Sequence, residues 1–270
     1  MNTQIQEKGT NFSELKYIIE TLFGIDFYKY LTREVVLDEV QEKAVRGVVR
    51  EYSQGKPLEY ILGKGSFLGL DLDMSPSVLI PRPETELLVE CVLKYIKVKS
   101  RSFILDIGTG CANIPIALSL HHPSAKIVSV DISQAALSLA KANISKHKRD
   151  NILLINADGL TCFGRDSFDI IVSNPPYVES SYIDTSSSGH EPRIALDGGD
   201  DGLVFIRRIL DRARDHLKSE GRLFLEIGYG QAEKVIARAK SRGWTLQEVV
   251  QDYSGIDRVI VFKTGTTVRG

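Results

Sequence analysis

Apolar residues in the first part of the chain recur at the spacing of amphipathic helices. The stretch NFSELKYIIETLFG (11–24) places its apolar residues three and four positions apart, and Gly24 is a typical helix stop. A second helix is predicted between Thr32 and Gly55. The residues expected on its apolar face are Leu37, Val40, Ala44, Val48 and Val49. We therefore predict a helical N-terminal domain over residues 1–59.

A different pattern follows these helices. FLGLDLDM (67–74) alternates apolar and polar residues, as a short strand does. Pro76, Pro81 and Pro83 then interrupt the chain. We predict a linker with a β-hairpin over residues 60–84 and a second domain over residues 85–270.

The second domain alternates apolar runs with amphipathic segments. Near-continuous runs of Ile, Leu and Val are typical of strands buried on both faces of a parallel sheet, with helices on both sides. Two runs joined by DYSGID near the end are close enough to pair as an antiparallel edge. The other predicted strands lie in RSFILDIGTG, AKIVSVDIS, NILLINAD, FDIIVSNPPY and GRLFLEIGYG. The pattern therefore predicts an α/β domain with a Rossmann-like sheet of seven strands.

Composition and charge exclude several classes of protein. The chain has 270 residues and a formal net charge of −1, and residues 1–80 carry nine basic and twelve acidic side chains. Those values argue against a basic protein that coats nucleic acid. Three widely spaced cysteines and five histidines indicate neither a disulfide framework nor a metal site.

The same sequence gives no sign of a membrane protein or a secreted protein. No apolar run approaches the roughly 18 residues that a membrane-spanning helix needs. The first residues lack the apolar core of a signal peptide. We expect a cytoplasmic protein with no metal and no contact with a membrane.

Glycines and acidic residues stand where the predicted strands end. Asp106 leads into Gly108-Thr109-Gly110, a turn that lets the backbone approach a ligand closely. Asn113 stands where a dinucleotide fingerprint has its third glycine, which disfavours a bound pyrophosphate. Asp131 can accept hydrogen bonds from ribose hydroxyls or serve as a helix N-cap. Asp158 can accept from an adenine amino group or be a turn residue.

A nucleoside without phosphates, held by carboxylates, indicates S-adenosyl-L-methionine as the cofactor. Its sulfonium is a cation, so a site without basic residues suits it. Asp106-Ile-Gly-Thr-Gly-Cys-Ala stands where the seven-stranded S-adenosylmethionine-dependent methyltransferases have their glycine-rich loop. The chain resembles that class.

The fourth predicted strand delivers Asn174-Pro175-Pro176-Tyr177 to the same edge of the sheet. The Asn174 side-chain carbonyl and the Pro175 backbone carbonyl can accept both N–H groups of a planar NH₂ group. These bonds fix the nitrogen and stabilise the positive charge that develops on it during methyl transfer. Pro176 keeps Pro175 extended, and Tyr177 can lay its ring against a flat group. We interpret the tetrapeptide as a clamp for NH₂; a rigid turn at a strand end is the alternative.

Such a clamp fits a base amino group in nucleic acid or a glutamine amide in protein. Residues 57–90 resemble the linker of peptide chain release factor N5-glutamine methyltransferases, most specifically in LIPRPETE (79–86). The resemblance extends over residues 40–263. Further blocks of that family match at 189–203, 223–231 and 252–260.

The resemblance implies a helical domain that helps grip a release factor, and methylation of the glutamine in that partner's Gly-Gly-Gln loop. The helical domain and a Ser-rich loop at 185–188 are the candidate partner surfaces. Cys111-Ala112-Asn113 departs from the family's Ser-Gly-Ala, and Gly159 replaces a residue that is often aromatic, so it cannot stack on adenine. By position, the resemblance implies cofactor contacts from Gly108, Thr109, Gly110, Cys111, Ala112, Asp131, Gly159 and Asn174, and glutamine contacts from Asn174, Pro175, Pro176 and Tyr177.

We therefore expect a monomeric protein-glutamine methyltransferase that acts on release factors and does not bind nucleic acid directly. A glutamine methyltransferase of a ribosomal protein is the nearest alternative. An adenine amino methyltransferase of DNA or RNA is the second. A cofactor-binding fold that serves only as an interaction module is the third.

Overall fold

A computed structural model describes residues 10–96, 102–183 and 189–264 of the chain. The Ser-rich loop at 185–188 lies outside these residues. The chain divides into two compact units. One contains the chain up to Gly65 together with Met74–Pro76, and the other contains Ser66–Asp73 and the chain from Ser77 onward.

The first unit is helical, as the apolar spacing predicts. In its first helix the Asn11 side chain accepts from the Glu14 backbone N–H, and the Glu14 carboxylate accepts from the Asn11 N–H. This capping box fixes the start of the helix, and Gly24 ends it in the left-handed conformation. The helices are α1 (Phe12–Phe23), α2 (Phe27–Leu31), α3 (Glu39–Ser53) and α4 (Leu58–Leu62).

The apolar face predicted for α3 is partly wrong. Val48 and Val49 are buried as expected, but Val40 and Ala44 are exposed and Val45 is buried instead. The buried face is centred on Val45, Val48 and Val49, which are spaced three and four residues apart, and this leaves Val40 and Ala44 on its flank. The core of the unit also contains Ile18, Ile19, Phe27, Leu37 and Leu58.

A two-stranded sheet of β1 (Lys64–Phe67) and β2 (Leu70–Asp73) forms the predicted hairpin. Its loop is Leu68-Gly69, and both residues have positive φ, at 49° and 74°. A two-residue hairpin loop with this backbone matches the twist of the strands. The boundaries at 60 and 84 that define a linker stay a prediction.

The second unit has the predicted Rossmann-like α/β architecture. In the described residues its sheet has seven strands in the order β5-β4-β3-β6-β7-β9-β8. Strands β3 to β7 are parallel, and β9 runs antiparallel between β7 and β8. The strands are β3 (Phe103–Ile107), β4 (Lys126–Asp131), β5 (Ile152–Asn156), β6 (Phe168–Ser173), β7 (Leu217–Glu226), β8 (Trp244–Gln251) and β9 (Asp257–Thr264). The helices are α5 (Pro83–Tyr95), α6 (Asn113–His121), α7 (Gln134–Lys146), α8 (Ser180–Ile183), α9 (Val204–His216) and α10 (Ala232–Ser241).

The topology of this sheet decides where a ligand can bind. Buried residues such as Leu105 on β3, Ile171 on β6 and Leu223 on β7 form the core. β3 pairs with β4 on one side and with β6 on the other, so the strand order reverses at β3. Ligands of such sheets bind beyond the carboxyl ends of the strands at this reversal. Among the helices of the described ranges, none has the length and apolarity to cross a membrane.

Candidate active site

A cavity of about 280 Å³ lies at the carboxyl ends of β3, β4 and β6. Most of the residues singled out from the sequence line it. They are Gly108, Thr109, Gly110, Cys111, Asp131, Asp158, Gly159, Asn174, Pro175 and Pro176. Asp106, Ala112 and Tyr177 are not among the lining residues.

The glycine-rich loop presents bare backbone to this cavity. Gly108 and Gly110 have φ of 78° and 54°, and a Cβ at either would meet no atom within 4 Å. The N–H groups of Gly108 and Thr109 both donate to the Val130 carbonyl, at 2.9 and 3.0 Å, which ties the loop to β4. The loop is thus held open toward the space where a ligand would lie.

Ala112 takes up the left-handed conformation at the start of α6, with φ of 68°. A residue with a Cβ pays roughly 1 kcal/mol or more in this conformation. Ala112 is fully buried, so its departure from glycine costs backbone strain and takes no room from the cavity.

Asp131 acts on the loop as well as on the cavity. Its Oδ2 accepts from the Gly110 N–H at 2.9 Å and its Oδ1 from the Ser133 N–H at 2.9 Å. The N-cap of α7 is Ser133, whose hydroxyl accepts from the Ala136 N–H. The alternative of Asp131 as an N-cap is therefore wrong. Each carboxylate oxygen keeps a lone pair for a ligand hydroxyl.

Basic side chains also line the cavity, and the expectation of a site without them was wrong. Arg208 on α9 binds Asp158 at 2.8 Å, and Arg82 binds Glu191 at 2.5 Å. Arg212 has no polar partner in the parts of the chain that the structure describes. Arg82 lies within LIPRPETE and the other two lie on α9, and two of the three are neutralised by a carboxylate.

Asp106 lies behind the loop in the sheet and is fully buried. Burial raises the pKa of Asp106 to about 7, while the nearby hydroxyls of Thr109 and Ser129 oppose that rise. Within the described residues, neither the carboxylate nor these hydroxyls makes a well-formed hydrogen bond. Thr109 lines the cavity, and its buried hydroxyl lies next to the Asp106 carboxyl.

Asn174 follows β6 and faces the cavity with one end of its amide held. Its Nδ2 donates to the Thr85 hydroxyl at 3.0 Å, so the nitrogen end is fixed. Its Oδ1 has no hydrogen-bond partner among residues 10–96, 102–183 and 189–264. A carbonyl acceptor is therefore free beside Pro175, as a clamp for N–H groups requires.

Tyr177 turns away from this cavity toward the end of β7. Its hydroxyl donates to Glu226 Oε1 at 3.1 Å, and its backbone carbonyl accepts from Gln231 Nε2 at 2.9 Å. Burial, followed by the charge of Glu226, raises the pKa of Tyr177 above its usual range. This position of Tyr177 does not match the contact between its ring and a flat group that the sequence suggested. Its hydroxyl and its backbone carbonyl are held by Glu226 and Gln231.

Sequence reasoning missed Thr85, Arg208 and Glu226 at this site. Thr85 and Glu226 lie in the segments LIPRPETE and LFLEIGYGQ, whose likeness to a family was visible but whose side-chain roles were not. Arg208 lies on a helix with many charged residues, where nothing in the pattern distinguishes it.

Comparisons with known proteins agree with this geometry. The family "Methyltransferase small domain" matches residues 83–188. A crystal structure described as a methyltransferase from Pyrococcus furiosus has the same fold, with a TM-score of 0.57 and 20% identity over 74% of this chain and 91% of that one. The family match and the shared fold thus agree with the methyltransferase class.

Relatives of known name identify the family. A release factor glutamine methyltransferase of Geobacter sulfurreducens is 36% identical over 97% of this chain and 93% of its own length. One from Coxiella burnetii is 36% identical over 86% of this chain and 84% of its own length. The chain belongs to the release factor glutamine methyltransferase family, and it is an enzyme of that family.

Proposed function

We propose that this enzyme transfers the methyl group of S-adenosyl-L-methionine to the side-chain amide nitrogen of the glutamine in the Gly-Gly-Gln motif of peptide chain release factors. The observation that carries the proposal is the free Oδ1 of Asn174 in a cavity bounded by the glycine-rich loop. The names of its relatives support the same substrate.

The residues of the cavity fit the proposed cofactor. Bare backbone at Gly108 and Gly110 leaves room for the ligand. Asp131 is positioned to accept from ribose hydroxyls, and Asp158 lies beside Arg208 with one oxygen that accepts from no residue the structure describes. When bound, S-adenosylmethionine supplies an electrophilic methyl group on a sulfonium.

The acceptor amide is positioned by carbonyl oxygens. Asn174 Oδ1 and the Pro175 carbonyl accept its two N–H groups, orient the nitrogen toward the methyl group and stabilise the positive charge that builds on it. The nitrogen gains one methyl group and releases one proton to solvent, so the product is again a neutral amide. Because Tyr177 is held by Glu226, its part is to fix the direction of the tetrapeptide.

The helical unit is proposed to recognise the release factor. It exposes large apolar residues that include Tyr28, Val36 and Val40. Contacts remote from the reacting amide contribute to positioning in the transition state, so an intact partner should be a better substrate than a short peptide. We also propose that the enzyme acts as a monomer in the cytoplasm and does not bind nucleic acid directly.

Labelling with cofactor carrying a radioactive methyl group tests this function. The arms are an intact release factor, the same factor with its Gly-Gly-Gln glutamine replaced by alanine, a short Gly-Gly-Gln peptide, a ribosomal protein extract and DNA oligonucleotides. The proposal expects strong labelling of the intact factor, weak labelling of the peptide and none of the other three. Label on ribosomal protein or DNA, with none on the release factor, would transfer the assignment to those substrates.

A further inference from the structure

Glu226 is a buried carboxylate that the reaction as described does not use. It is the last residue of β7 and is fully shielded from solvent. Its Oε1 accepts from the Tyr177 hydroxyl, while its Oε2 is buried without a well-formed hydrogen bond from the described residues. A buried acceptor of this kind is costly, so it calls for a physical explanation.

The missing donor is close by on α5. Thr85 is 2% exposed, and its oxygen already accepts from Asn174 Nδ2. A hydroxyl has one proton to donate as well as lone pairs to accept with. The structure thus places a Thr85 hydroxyl proton that can be donated next to a Glu226 oxygen that lacks a well-formed bond among the described residues, both behind Asn174.

The hydrogen bonds that link Asn174, Thr85 and Glu226 take a direction that follows from the charge of the Glu226 carboxylate. An ionised carboxylate can only accept, so it makes the Thr85 hydroxyl donate toward it and leaves the Thr85 oxygen to accept from Asn174. The amide of Asn174 must then present Nδ2 to Thr85 and Oδ1 to the cavity. With a neutral partner at 226, the Thr85 hydroxyl can turn toward Asn174 and favour the flipped amide, whose NH₂ group would repel a substrate NH₂ group.

We propose that Glu226 is a positioning residue that acts through Thr85 to fix the Asn174 amide with its carbonyl toward the substrate. The inference deepens the proposed function and rests on it for the nature of the substrate. It also explains why two separate segments, LIPRPETE and LFLEIGYGQ, contribute to one site: each supplies one link of the chain behind Asn174.

The groups around Glu226 set its pKa, and therefore the pH range in which it fixes the Asn174 amide. Tyr177 and Thr85 donate toward it, Glu84 opposes its ionisation and Arg258 favours it. Arg258 is itself shared between Asp252 at 2.9 Å and Glu84 at 3.7 Å. Burial raises the pKa of Glu226 to about 7, with the hydroxyls of Thr85 and Tyr177 opposing the rise. Ionisation, and with it the fixed amide, is therefore gained as pH increases through neutrality.

Steady-state kinetics on the intact release factor, with matched variants, tests the proposal. Thr85→Val removes the link and should lower kcat about tenfold or more, the scale of one lost buried hydrogen bond. Thr85→Ser keeps the hydroxyl and should retain most of kcat. Calorimetry should give unchanged cofactor affinity for both. Equal loss in Ser and Val variants, or full kcat in Thr85→Val, would overturn the role of the hydroxyl.

The pH profile separates positioning from packing. The wild-type kcat should rise with pH around neutrality, and Glu226→Gln should lose this dependence. Tyr177→Phe removes a donor to Glu226, so the midpoint of the rise should move to higher pH. A midpoint that stays in place in Tyr177→Phe, together with an unchanged profile in Glu226→Gln, would overturn the assignment to Glu226.

A measurement on the free enzyme, which needs no turnover, tests this inference separately from the proposed function. In nitrogen-15 NMR spectra of the free enzyme, the side-chain NH₂ signals of Asn174 should shift with pH and follow the ionisation of Glu226. The shift should vanish in Glu226→Gln and in Thr85→Val. If the wild type methylates no release factor but the signals behave this way, the proposed substrate is wrong and the role of Glu226 is retained. Signals that do not change with pH would overturn the role of Glu226.

Discussion

The two units of the chain differ in the groups that they bury and expose. The helical unit leaves large apolar side chains in solvent, with Val36 76% and Val40 77% exposed. The sheet unit also exposes apolar side chains such as Leu153, but of the two units it alone, within the described residues, buries carboxyl groups completely, those of Asp106 and Glu226. Exposed apolar surface costs little stability by itself and favours association, whereas a buried carboxyl costs stability unless it is paired.

Each departure indicates a different kind of function. Apolar residues in solvent gain by contact with another protein, which agrees with the proposed grip on a release factor. Buried carboxyls behind a cavity fix loops and amides, which agrees with a site that must hold a small planar group in one orientation. Variants of the two kinds should therefore have different signatures: loss of turnover or gain of stability in the sheet unit, and weaker partner binding in the helical unit.

The largest effect is expected at the clamp. Asn174→Ala removes the free carbonyl and should lower kcat roughly a hundredfold or more, as loss of other preorganised polar groups does. Its thermal midpoint should stay close to that of the wild type because the side chain is only partly buried. An Asn174→Ala enzyme with full turnover on a release factor would mean that another group holds the amide.

A buried carboxyl should reveal its cost as a dependence of stability on pH. The pKa of Asp106 is about 7 in the folded protein, well above its usual value. The unfolded chain therefore releases this proton first, so the wild type loses stability as pH rises from about 4 to about 7. Asp106→Asn lacks this loss and should be more stable on the order of 3 kcal/mol at about pH 8.

Denaturant titrations of both proteins at acid and alkaline pH measure this difference. The advantage of Asp106→Asn should shrink toward zero below about pH 3, where the wild-type carboxyl is protonated in both states. A difference that does not vary with pH would contradict the burial of a titrating Asp106.

A smaller effect is expected in cofactor affinity. Asp131→Ala removes the acceptor for ribose hydroxyls and for the Gly110 N–H, and should weaken S-adenosylmethionine binding by about 2 kcal/mol or more. Asp131→Asn keeps one oxygen acceptor and should lose less. Calorimetry provides both values, and an unchanged affinity in a folded Asp131→Ala protein would exclude the proposed ribose contact.

The smallest effect should appear in the helical unit. Val36→Ser should leave stability within about 0.5 kcal/mol of wild type because the side chain is exposed. It should raise KM for the intact release factor several-fold and leave KM for a Gly-Gly-Gln peptide unchanged. Leu153→Ser is the matched control, since Leu153 is 59% exposed on β5 of the sheet unit. Equal changes in both variants would remove the case for a recognition surface on the helices.

The fold was largely predictable because buried residues recur along the sequence with the period of a helix or a strand. Runs of Ile, Leu and Val predicted the parallel strands, and Gly24 marked the end of α1. The apolar face of α3 was misplaced because its sequence offers valines on more than one side, and only packing against α1 and α4 selects Val45. Local pattern does not contain that choice.

The site was predictable only where one short segment carries its chemistry. Gly108 to Gly110 and Asn174 to Tyr177 were found because strand ends place them at one edge of the sheet. The Thr85 and Glu226 links were not, since they lie 89 and 52 positions from Asn174 and depend on tertiary packing. The direction in which Tyr177 points was missed for the same reason.

Mass spectrometry of a release factor after incubation with the purified enzyme and S-adenosylmethionine shows directly which side chain is methylated. Peptide fragmentation locates the added methyl group to a single side chain. We expect one methyl group on the amide of the Gly-Gly-Gln glutamine with the wild type and almost none with Asn174→Ala. A methyl group on any other residue, or an unmodified release factor beside a methylated ribosomal protein or nucleic acid, would contradict it.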